Sequence, residues 1–329
     1  MNYRTLGPTD IQVSTICMGC WGLASDFHWG PQDDAASIAT VHAALDAGVN
    51  FFDTAEAYGD GHSDEVLGRA LQGVRRQVII ASKVSAHHLA PDDLTRSCEA
   101  SLRRLNTDYL DLLQIHWPSR EIPFAESWAA MERLQREGKV RALGVSNFGV
   151  IDLPELLAVG RPASDQLPYS LLFRAIEYGV QRLCEENEIS ILAYSPLMHG
   201  LLTGRYQRAE DLPITRARTR HYPPDWPHTR HREDGCLAET NAALAEIRRI
   251  SHEAGLSMTH LALAWLLHQP GVASAIAGMR RPDQARNSAL AADITLSPDI
   301  LRQLDQATRP VKEKLGPNID MWQTEPRGR

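Results

Sequence analysis

Short apolar runs rich in β-branched residues alternate eight times along this chain with longer stretches of helical periodicity. The runs with strand character lie at 15–18, 50–52, 78–82, 109–115, 142–145, 163–166, 189–193 and 273–276. The helical stretches lie at 34–47, 63–72, 91–105, 124–137, 151–159, 177–187, 237–254 and 282–291, with an extra one at 258–269. Eight strand–helix units, mostly about thirty residues apart, are typical of an α/β fold of the closed (β/α)₈ TIM-barrel type. We therefore expect one barrel domain over residues 1–329.

Three segments lie outside the repeat. Residues 3–13 have the pattern of a short β-hairpin. Residues 207–235 are rich in Pro, Arg and His and show no period, and a loop of that length is usually functional or disordered. Because this loop follows the seventh strand, it is predicted at the active end of the barrel. Residues 311–329 are predicted to form a polar tail, with Met321 and Trp322 as its only anchor.

An open doubly wound sheet is the competing fold. Its dinucleotide-binding form normally carries the motif G-x-G-x-x-G directly after a strand. The chain has one G-x-G, at Gly59-Asp60-Gly61, and the third glycine is missing because Asp64 stands in its place. The sequence therefore favours the barrel.

Composition narrows the class of partner. The net charge of −7 argues against nucleic acid or an anionic membrane as the main partner. No apolar run is long enough to span a bilayer, and no secretory signal is expected at the first residues. Five cysteines at irregular spacing indicate a reducing, cytoplasmic setting. The motif Cys17-x-x-Cys20 lacks the second pair that a zinc site needs, and His87-His88 lacks further ligands, so no metal is expected.

Polar side chains stand where several predicted strands end. In a parallel barrel these ends meet at one face, where catalytic residues are found. The residues at these positions are Asp53, Lys83, His116, Ser146, Asn147, Gln166, Tyr194 and Ser195, and Tyr58 follows the second strand closely. Taken singly, each of four residues has an ordinary structural explanation. Asp53 could be a turn cap, Lys83 a solvated lysine, His116 a core histidine and Tyr58 a surface aromatic. Taken together on neighbouring strands, they point to function.

These groups suit the reduction of a carbonyl. Hydride addition leaves an oxygen that needs a proton, and a phenol such as Tyr58 is a weak acid at neutral pH. An ammonium beside the phenol is expected to lower its pKa, and a carboxylate beyond it keeps the ammonium charged. An imidazole can then orient the carbonyl by a hydrogen bond.

Several motifs resemble those of the aldo-keto reductase family. They are GVNFFDTAEAYG at 48–59, IASK at 80–83, YLDLLQIHWP at 109–118, RALGVSNF at 141–148, AYSPL at 193–197, GLLTG at 200–204 and the segment 278–287. They stand in family order over residues 3–291, and the first and fourth of them are the most specific. The resemblance is to bacterial NADP-dependent reductases and also to the branch of potassium-channel β-subunits.

The resemblance implies an enzyme that uses NADP(H) and reduces a small aldehyde or ketone. It implies a catalytic tetrad of Asp53, Tyr58, Lys83 and His116, in which Tyr58 donates the proton. For the nicotinamide it implies a carboxamide site of Ser146, Asn147 and Gln166 and a ring stacked on Tyr194. Along the pyrophosphate it implies Ser195, Pro196, Leu197 and Gly200, and around the adenosine Gly278, Arg280, Gln284 and Asn287. Arg280 is the candidate for a 2′-phosphate, although Met279 beside it departs from the more polar segment usual in the family.

Tryptophans mark the predicted substrate pocket. Trp21, Trp29 and Trp117 fall in loops where the family shapes its pocket, whereas Trp226 in the long loop fits a lid or simple packing equally well. Trp128 and Trp265 lie on helical stripes and are expected in the core. The sequence is compatible with either direction of reaction and with any oligomeric state.

Two other functions compete with this one. The family resembled here includes NADPH-binding regulatory subunits with little turnover, and an intact tetrad is compatible with such a sensor. A metal-dependent barrel hydrolase or isomerase would need carboxylate and histidine clusters at the strand ends, which the sequence lacks.

Overall fold

Eight parallel strands close into a barrel in this computed structural model, which describes all 329 residues. The ten strands of the chain are β1 Tyr3–Thr5, β2 Gln12–Ser14, β3 Ile16–Gly19, β4 Phe51–Asp53, β5 Ile79–Val84, β6 Leu110–Ile115, β7 Val140–Ser146, β8 Ser164–Pro168, β9 Ser190–Tyr194 and β10 Val272–Gly278. Strands β3 to β10 are neighbours in chain order, and β10 pairs with β3 to close the barrel. The predicted fold is confirmed, and every predicted strand overlaps an observed one.

Ten helices accompany the strands. They are α1 Asp34–Asp46, α2 His62–Ala70, α3 Pro91–Leu105, α4 Phe124–Arg136, α5 Asp152–Leu157, α6 Val180–Glu186, α7 Leu237–Glu253, α8 Met258–Leu267, α9 Pro282–Leu290 and α10 Pro298–Leu315. Side-chain caps fix several starts, because Asp33 accepts from the amide of Ala36 and Ser257 from that of His260. Helix α6 starts later than predicted, since residues Ala175–Tyr178 form a separate 3₁₀ turn. No helix combines the length and the apolar character that crossing a bilayer requires.

The predicted hairpin plugs the amino-terminal end of the barrel. Strands β1 and β2 pair antiparallel. Leu6, Ile11 and Val13 are buried against interior residues such as Phe51 and Leu112. Gly7 in the turn has a φ of +50°, and a Cβ there would lie 2.3 Å from the carbonyl oxygen of Ala163, so only glycine fits. With this end closed, the barrel is open to ligands only at the opposite end.

Helix α10 was not predicted. It begins with a Ser297 cap and Pro298 in the first turn, and its buried stripe includes Leu304, Val311 and Leu315. Pro310 lies inside it, a position where proline usually interrupts a helix. The predicted tail of residues 311–329 was therefore set too early, because the helix continues to Leu315. The true tail begins at Gly316.

The loop between β9 and α7 lies at the open end of the barrel and is held by buried polar residues. Arg220 is 4% exposed, pairs with Glu233 at 2.8 Å and donates to the carbonyl oxygen of Leu315 at 2.6 Å. His221 is buried and contacts the carbonyl oxygen of Leu172. The aperiodic segment predicted at 207–235 is thus packed against the end of α10 and the tail.

Candidate active site

The carboxyl ends of the barrel strands open into a cavity of about 1320 Å³. Residues from different strands meet here because a closed parallel barrel brings all its strand ends to one face. The structure places every predicted cofactor and pocket residue on the cavity wall: Ser146, Asn147, Gln166, Tyr194, Ser195, Pro196, Leu197, Gly200, Gly278, Arg280, Gln284, Asn287, Trp21, Trp29 and Trp117. Asp53, Tyr58 and His116 line it too, and Lys83 contacts two of these three.

Lys83 is the centre of the predicted tetrad. Its Nζ donates to Asp53 Oδ1 at 2.6 Å, to the carbonyl oxygen of Thr54 at 2.9 Å and to the Tyr58 hydroxyl at 3.2 Å. An ammonium has three hydrogens, so these three acceptors use all of them. Lys83 and Asp53 are 1% and 2% exposed, which leaves the pair shielded from water. The ammonium therefore holds the phenol oxygen of Tyr58 at the cavity wall.

Two glutamines complete the shell of Asp53. Gln166 donates through Nε2 to Asp53 Oδ2 at 2.8 Å, and Gln114 donates to the same oxygen at 3.4 Å. Gln166 was predicted to hold a nicotinamide carboxamide, and its amide nitrogen is instead engaged with the carboxylate. Gln114 was not predicted, because it stands within the apolar run of β6 and nothing in its neighbours distinguishes it from a core position.

Burial and neighbouring charges shift the pKa values of Lys83 and Tyr58 in opposite directions. Burial alone lowers the pKa of Lys83, but Asp53 and Tyr58 outweigh it, and the net pKa lies above its ordinary value. Burial raises the pKa of the Tyr58 phenol, and the opposing effect of Lys83 is smaller. The ammonium does lower the pKa of the phenol, as expected, but burial outweighs this effect and the net pKa lies above its ordinary value. Lys83 limits the rise and does not reverse it.

His116 stands on the other side of the phenol. Its ring lies edge-on to that of Tyr58, with centroids 5.9 Å apart. Burial, together with the charges of Lys83 and Arg327, lowers the pKa of His116 to about 3. The imidazole is therefore neutral at physiological pH and is suited to hydrogen bonding rather than to carrying charge.

The residues predicted around a carboxamide form their own network. Tyr194 donates through its hydroxyl to Asn147 Oδ1 at 2.8 Å, and Asn147 donates through Nδ2 to the carbonyl oxygen of His116 at 3.0 Å. Ser146 donates to the carbonyl oxygen of Gln166 at 2.8 Å. Asn147 has a φ of +65°, which turns the chain into the cavity directly after β7.

The segment after β9 has unusual backbone geometry. Ser195, Met198, His199 and Gly200 all have positive φ values, so this stretch curls along the cavity wall. His199 is buried there, with Nδ1 3.2 Å from the carbonyl oxygen of Arg216 and with no partner for Nε2. Burial lowers the pKa of His199 to about 3. Sequence reasoning missed this histidine, because its burial depends on Arg216 and Trp29 from distant loops.

Arg280 holds the loop that follows β3. Its guanidinium donates to the carbonyl oxygens of Trp29 at 2.6 Å and of Pro31 at 2.7 Å, and its Nε has no partner. Gln284 accepts from the main-chain nitrogen of Arg280 at 2.8 Å. The side chain predicted for a 2′-phosphate is thus engaged with main-chain carbonyls. The neighbouring Met279 is fully buried, so its apolar character reflects packing.

Aromatic rings surround the phenol at the cavity mouth. Trp21 stacks on Tyr58 with centroids 6.0 Å apart, and Trp29 lies edge-on to Trp21. Trp117 contacts Trp322, which stacks on Tyr194 at an angle of 7° and a separation of 6.0 Å. Trp128 and Trp265 are buried in the core, as predicted. Trp226 packs against Tyr222 and does not line the cavity.

The chain's last residues cross the mouth. Arg327 lies over the ring of Trp117 at 3.6 Å and pairs with the buried Asp320 at 2.8 Å. The main-chain nitrogen of Arg329 donates to Asp152, and a Cβ at Gly328 would lie 1.7 Å from the carbonyl oxygen of Asn147. The prediction that Met321 and Trp322 alone anchor the tail is wrong, because polar contacts fix its end as well.

The remaining candidate clusters have structural partners. Cys17 and Cys20 are buried, and burial raises the pKa of both thiols. His88 contacts Glu56, which also accepts from Ser97. No group of three or more His, Cys, Asp or Glu side chains is arranged to hold a metal ion.

The closed (β/α)₈ barrel thus carries the buried Lys83–Asp53 pair and the Tyr58 phenol at a cavity formed by its strand ends. The sequence model of the Aldo/keto reductase family matches residues 15–309, and the chain belongs to this family.

Individual relatives cover nearly the whole chain. The Aldo-keto reductase YhdN of Bacillus subtilis (strain 168) is 36% identical over 294 residues, which is 86% of each chain. The NADH-specific methylglyoxal reductase of Escherichia coli (strain K12) is 31% identical over 319 residues, 89% of this chain and 94% of its own. A crystal structure of an aldo-keto reductase from Klebsiella pneumoniae in complex with NADPH is 31% identical, with a TM-score of 0.74 over 93% of this chain and 95% of that one.

Proposed function

We propose that the protein reduces an aldehyde or ketone to an alcohol with NADPH, reversibly, and that Tyr58 donates the proton. The observation that carries the proposal is the position of Lys83 Nζ, 2.6 Å from Asp53 and 3.2 Å from the Tyr58 hydroxyl. This places a phenol fixed by an ammonium at the mouth of a cavity that reaches Arg280 and Asn287. The names of the relatives support carbonyl reduction as the chemistry.

The residues of the cavity suit a dinucleotide phosphate. The wall carries seven arginines and only two acidic residues, on a chain whose net charge is −7. Side chains with amide and hydroxyl groups, Ser146, Asn147 and Gln166, stand near the tetrad and match the chemistry of a carboxamide. The unpartnered Nε of Arg280 stands at the other end, where a phosphate would complete its hydrogen bonding. NADPH bound here would supply the hydride.

Within this site each tetrad residue has a distinct task. Tyr58 transfers a proton from its hydroxyl to the carbonyl oxygen in reduction and accepts it back in alcohol oxidation. Lys83 holds the Tyr58 oxygen in place and stabilises it after the proton has left, and Asp53 keeps Lys83 charged. His116, as a neutral imidazole beside the phenol, orients the carbonyl by a hydrogen bond. The tryptophans keep water away from the developing charge.

The direct test is turnover by the purified protein without any partner. NADPH is mixed with a panel of aldehydes and ketones, and its oxidation is followed by absorbance. A turnover of about 1 s⁻¹ or more supports the enzyme. Tight NADPH binding with no turnover of any carbonyl would contradict it and would favour the regulatory subunit instead.

The pH dependence should differ between the two directions of reaction. The pKa of His116 is about 3, and that of Tyr58 lies above its ordinary value, so neither group titrates near neutrality. We expect kcat/KM for reduction to be flat from about pH 5 to pH 9, because the phenol stays protonated there. Alcohol oxidation needs the phenolate and should rise by up to about tenfold per pH unit. Both profiles are measured at constant ionic strength, and a limb near pH 6 to 7 in reduction would contradict the neutral role of His116.

Cofactor preference should depend on Arg280. We expect Arg280→Met to weaken NADPH binding about 10- to 100-fold and NADH binding less than about threefold, because only NADPH has a 2′-phosphate for the guanidinium. Affinities are measured by quenching of tryptophan fluorescence, with Arg76→Gln as the control, since Arg76 is exposed and does not line the cavity. Equal losses for both nucleotides would mean that Arg280 acts by holding the Trp29–Pro31 carbonyls, and the phosphate role would be wrong.

A further inference from the structure

Two arginines stand among the aromatic rings at the cavity mouth. The guanidinium of Arg218 lies 5.8 Å from the ring of Trp21 and 5.7 Å from that of Trp322. Arg327 lies over Trp117 at 3.6 Å and 5.6 Å from Trp322. Because Trp21 itself stacks on Tyr58, a single indole separates Arg218 from the phenol. Positive charge therefore lies among the aromatic rings that surround the Tyr58 phenol.

The two arginines differ in their counter-charges. Arg327 has its own carboxylate, since its Nε and one terminal nitrogen bind Asp320 at 2.8 and 3.1 Å. The guanidinium of Arg218 has no ion pair and no hydrogen bond to the protein, although its side chain is half-buried. Asp26, the acid that acts on it from the neighbouring loop, already accepts from the amides of His28 and Trp29. Arg218 is thus a cation of the cavity wall whose hydrogen-bond donors are unused.

The surroundings of Arg218 add further positive charge. Burial and the nearby positive charges of Arg230 and Arg327 lower the pKa of Arg218 to about 10, so it is still charged at neutral pH. Tryptophan faces attract a guanidinium, but they do not replace the two hydrogen bonds that an anion can accept side by side. In a partly desolvated site the attraction of such a cation for an anion is stronger than in open solvent.

Arg218 and Arg216 have different partners on the cavity wall. Arg216 donates to the carbonyl oxygen of His199 and to the hydroxyl of Tyr206 and lies over Trp29. The neighbours of Arg218 are instead Trp21, which covers the phenol, and Trp322 of the tail. Arg218 and Tyr58 thus line the same cavity, with Trp21 in contact with both.

Building on the proposed function, we propose that the preferred substrates are aldehydes or ketones that carry an anionic group, a carboxylate or a phosphate, and that Arg218 binds this group. The guanidinium takes the anion in a bidentate contact, and the indole of Trp21 sets the distance between the anion and the carbonyl. The rings of Trp21, Trp117 and Trp322 offer apolar faces on the cavity wall against which an aromatic or short aliphatic spacer can lie. Arg218 is then a specificity-determining residue at the mouth.

The test uses pairs of aldehydes that differ in charge. Steady-state kinetics are measured for 4-formylbenzoate, its neutral methyl ester and 4-formylphenyl phosphate, with wild type, Arg218→Gln and Arg218→Lys. Arg76→Gln is the control, since Arg76 is exposed on the turn that precedes β5. NADPH affinity and melting temperature are determined for every variant. The two anionic arms distinguish carboxylate from phosphate.

We expect the wild type to favour an anionic aldehyde over the ester. Arg218→Gln should lower kcat/KM for the anion about 10- to 100-fold, mainly through KM, and change the ester less than about twofold. Arg218→Lys should restore part of the loss, because it keeps the charge but not the bidentate geometry.

Three outcomes would overturn the inference. If all variants reduce the ester and the anions with unchanged ratios, Arg218 does not bind the substrate, and the reductase function stands. If Arg218→Gln weakens NADPH binding and affects all aldehydes equally, the residue belongs to the cofactor site. If the wild type binds NADPH but reduces none of the aldehydes of either charge, the proposed function fails, and this inference with it.

Discussion

Replacing Tyr58 with phenylalanine should lower kcat for carbonyl reduction by about 10²- to 10⁴-fold, the usual contribution of a positioned general acid. The phenylalanine ring can keep the stacking on Trp21, so the wall of the cavity is preserved. What is lost is the hydroxyl 3.2 Å from Lys83 Nζ, which is the proposed proton donor. NADPH affinity should stay within about twofold of the wild type, because the contacts predicted for the nucleotide lie elsewhere on the wall.

Single-turnover and steady-state rates, with fluorescence titration of NADPH, test this expectation. Tyr178→Phe is the matched control, since Tyr178 is 45% exposed and its hydroxyl only reaches the carbonyl oxygen of Lys312. A Tyr58→Phe variant with more than about a tenth of the wild-type kcat would show that another group supplies the proton. A loss of NADPH binding as large as the loss of turnover would assign Tyr58 to the structure of the site instead.

Lys83→Met should abolish most turnover and also destabilise the fold. The substitution keeps the length of the side chain but leaves the carboxylate of Asp53, 2% exposed, without its counter-charge. Breaking one side of a buried ion pair costs about 3 to 5 kcal/mol, and Gln166 and Gln114 offset only part of that cost. Because the folded-state pKa of Lys83 is raised, the stabilisation is complete at neutral pH and is lost only as the pH rises through that pKa.

The double variant Asp53→Asn with Lys83→Met separates the two effects. Removing the carboxylate together with the ammonium leaves no unpaired charge, so the urea midpoint should return most of the way to that of the wild type. Turnover should not return, since the phenol still lacks its ammonium. If the urea midpoint of Lys83→Met alone equals that of the wild type, the Lys83–Asp53 pair does not stabilise the barrel. If the double variant regains activity, the ammonium is not part of the proton transfer.

Much of the barrel could be predicted, because its determinants are local. Strands such as β6 and helices such as α3 are marked by periodicity and by turn residues, and α3 was predicted to the residue. That Asp53 and Lys83 stand close together could be predicted because a strand end in a parallel barrel fixes the side on which a residue stands, whereas the catalytic role of the four residues stays a prediction. Helix α10 had start signals at Ser297 and Pro298, but the interior Pro310 and the polar composition around it obscured its continuation.

Other features depend on contacts between distant loops, which have no period. Three such features follow from the way in which three loops and the tail meet. The Arg280 guanidinium donates to the Trp29–Pro31 carbonyls, Trp322 stacks on Tyr194, and the Arg218 guanidinium has no hydrogen bond to the protein. The pKa of Tyr58 is a further case. Sequence indicates which charge stands beside the phenol, but the larger effect of burial depends on the packing around it.

The burial of Lys83 has a practical consequence in a chain with so few lysines. Lys139, Lys312 and Lys314 are the other three, and each lies at least partly at the surface. Amine-acylating reagents should therefore reach those three and spare Lys83 as long as the barrel stays closed. Mass spectrometry of the labelled peptides then gives a footprint in which acylation at one position, Lys83, records how often the protein interior opens.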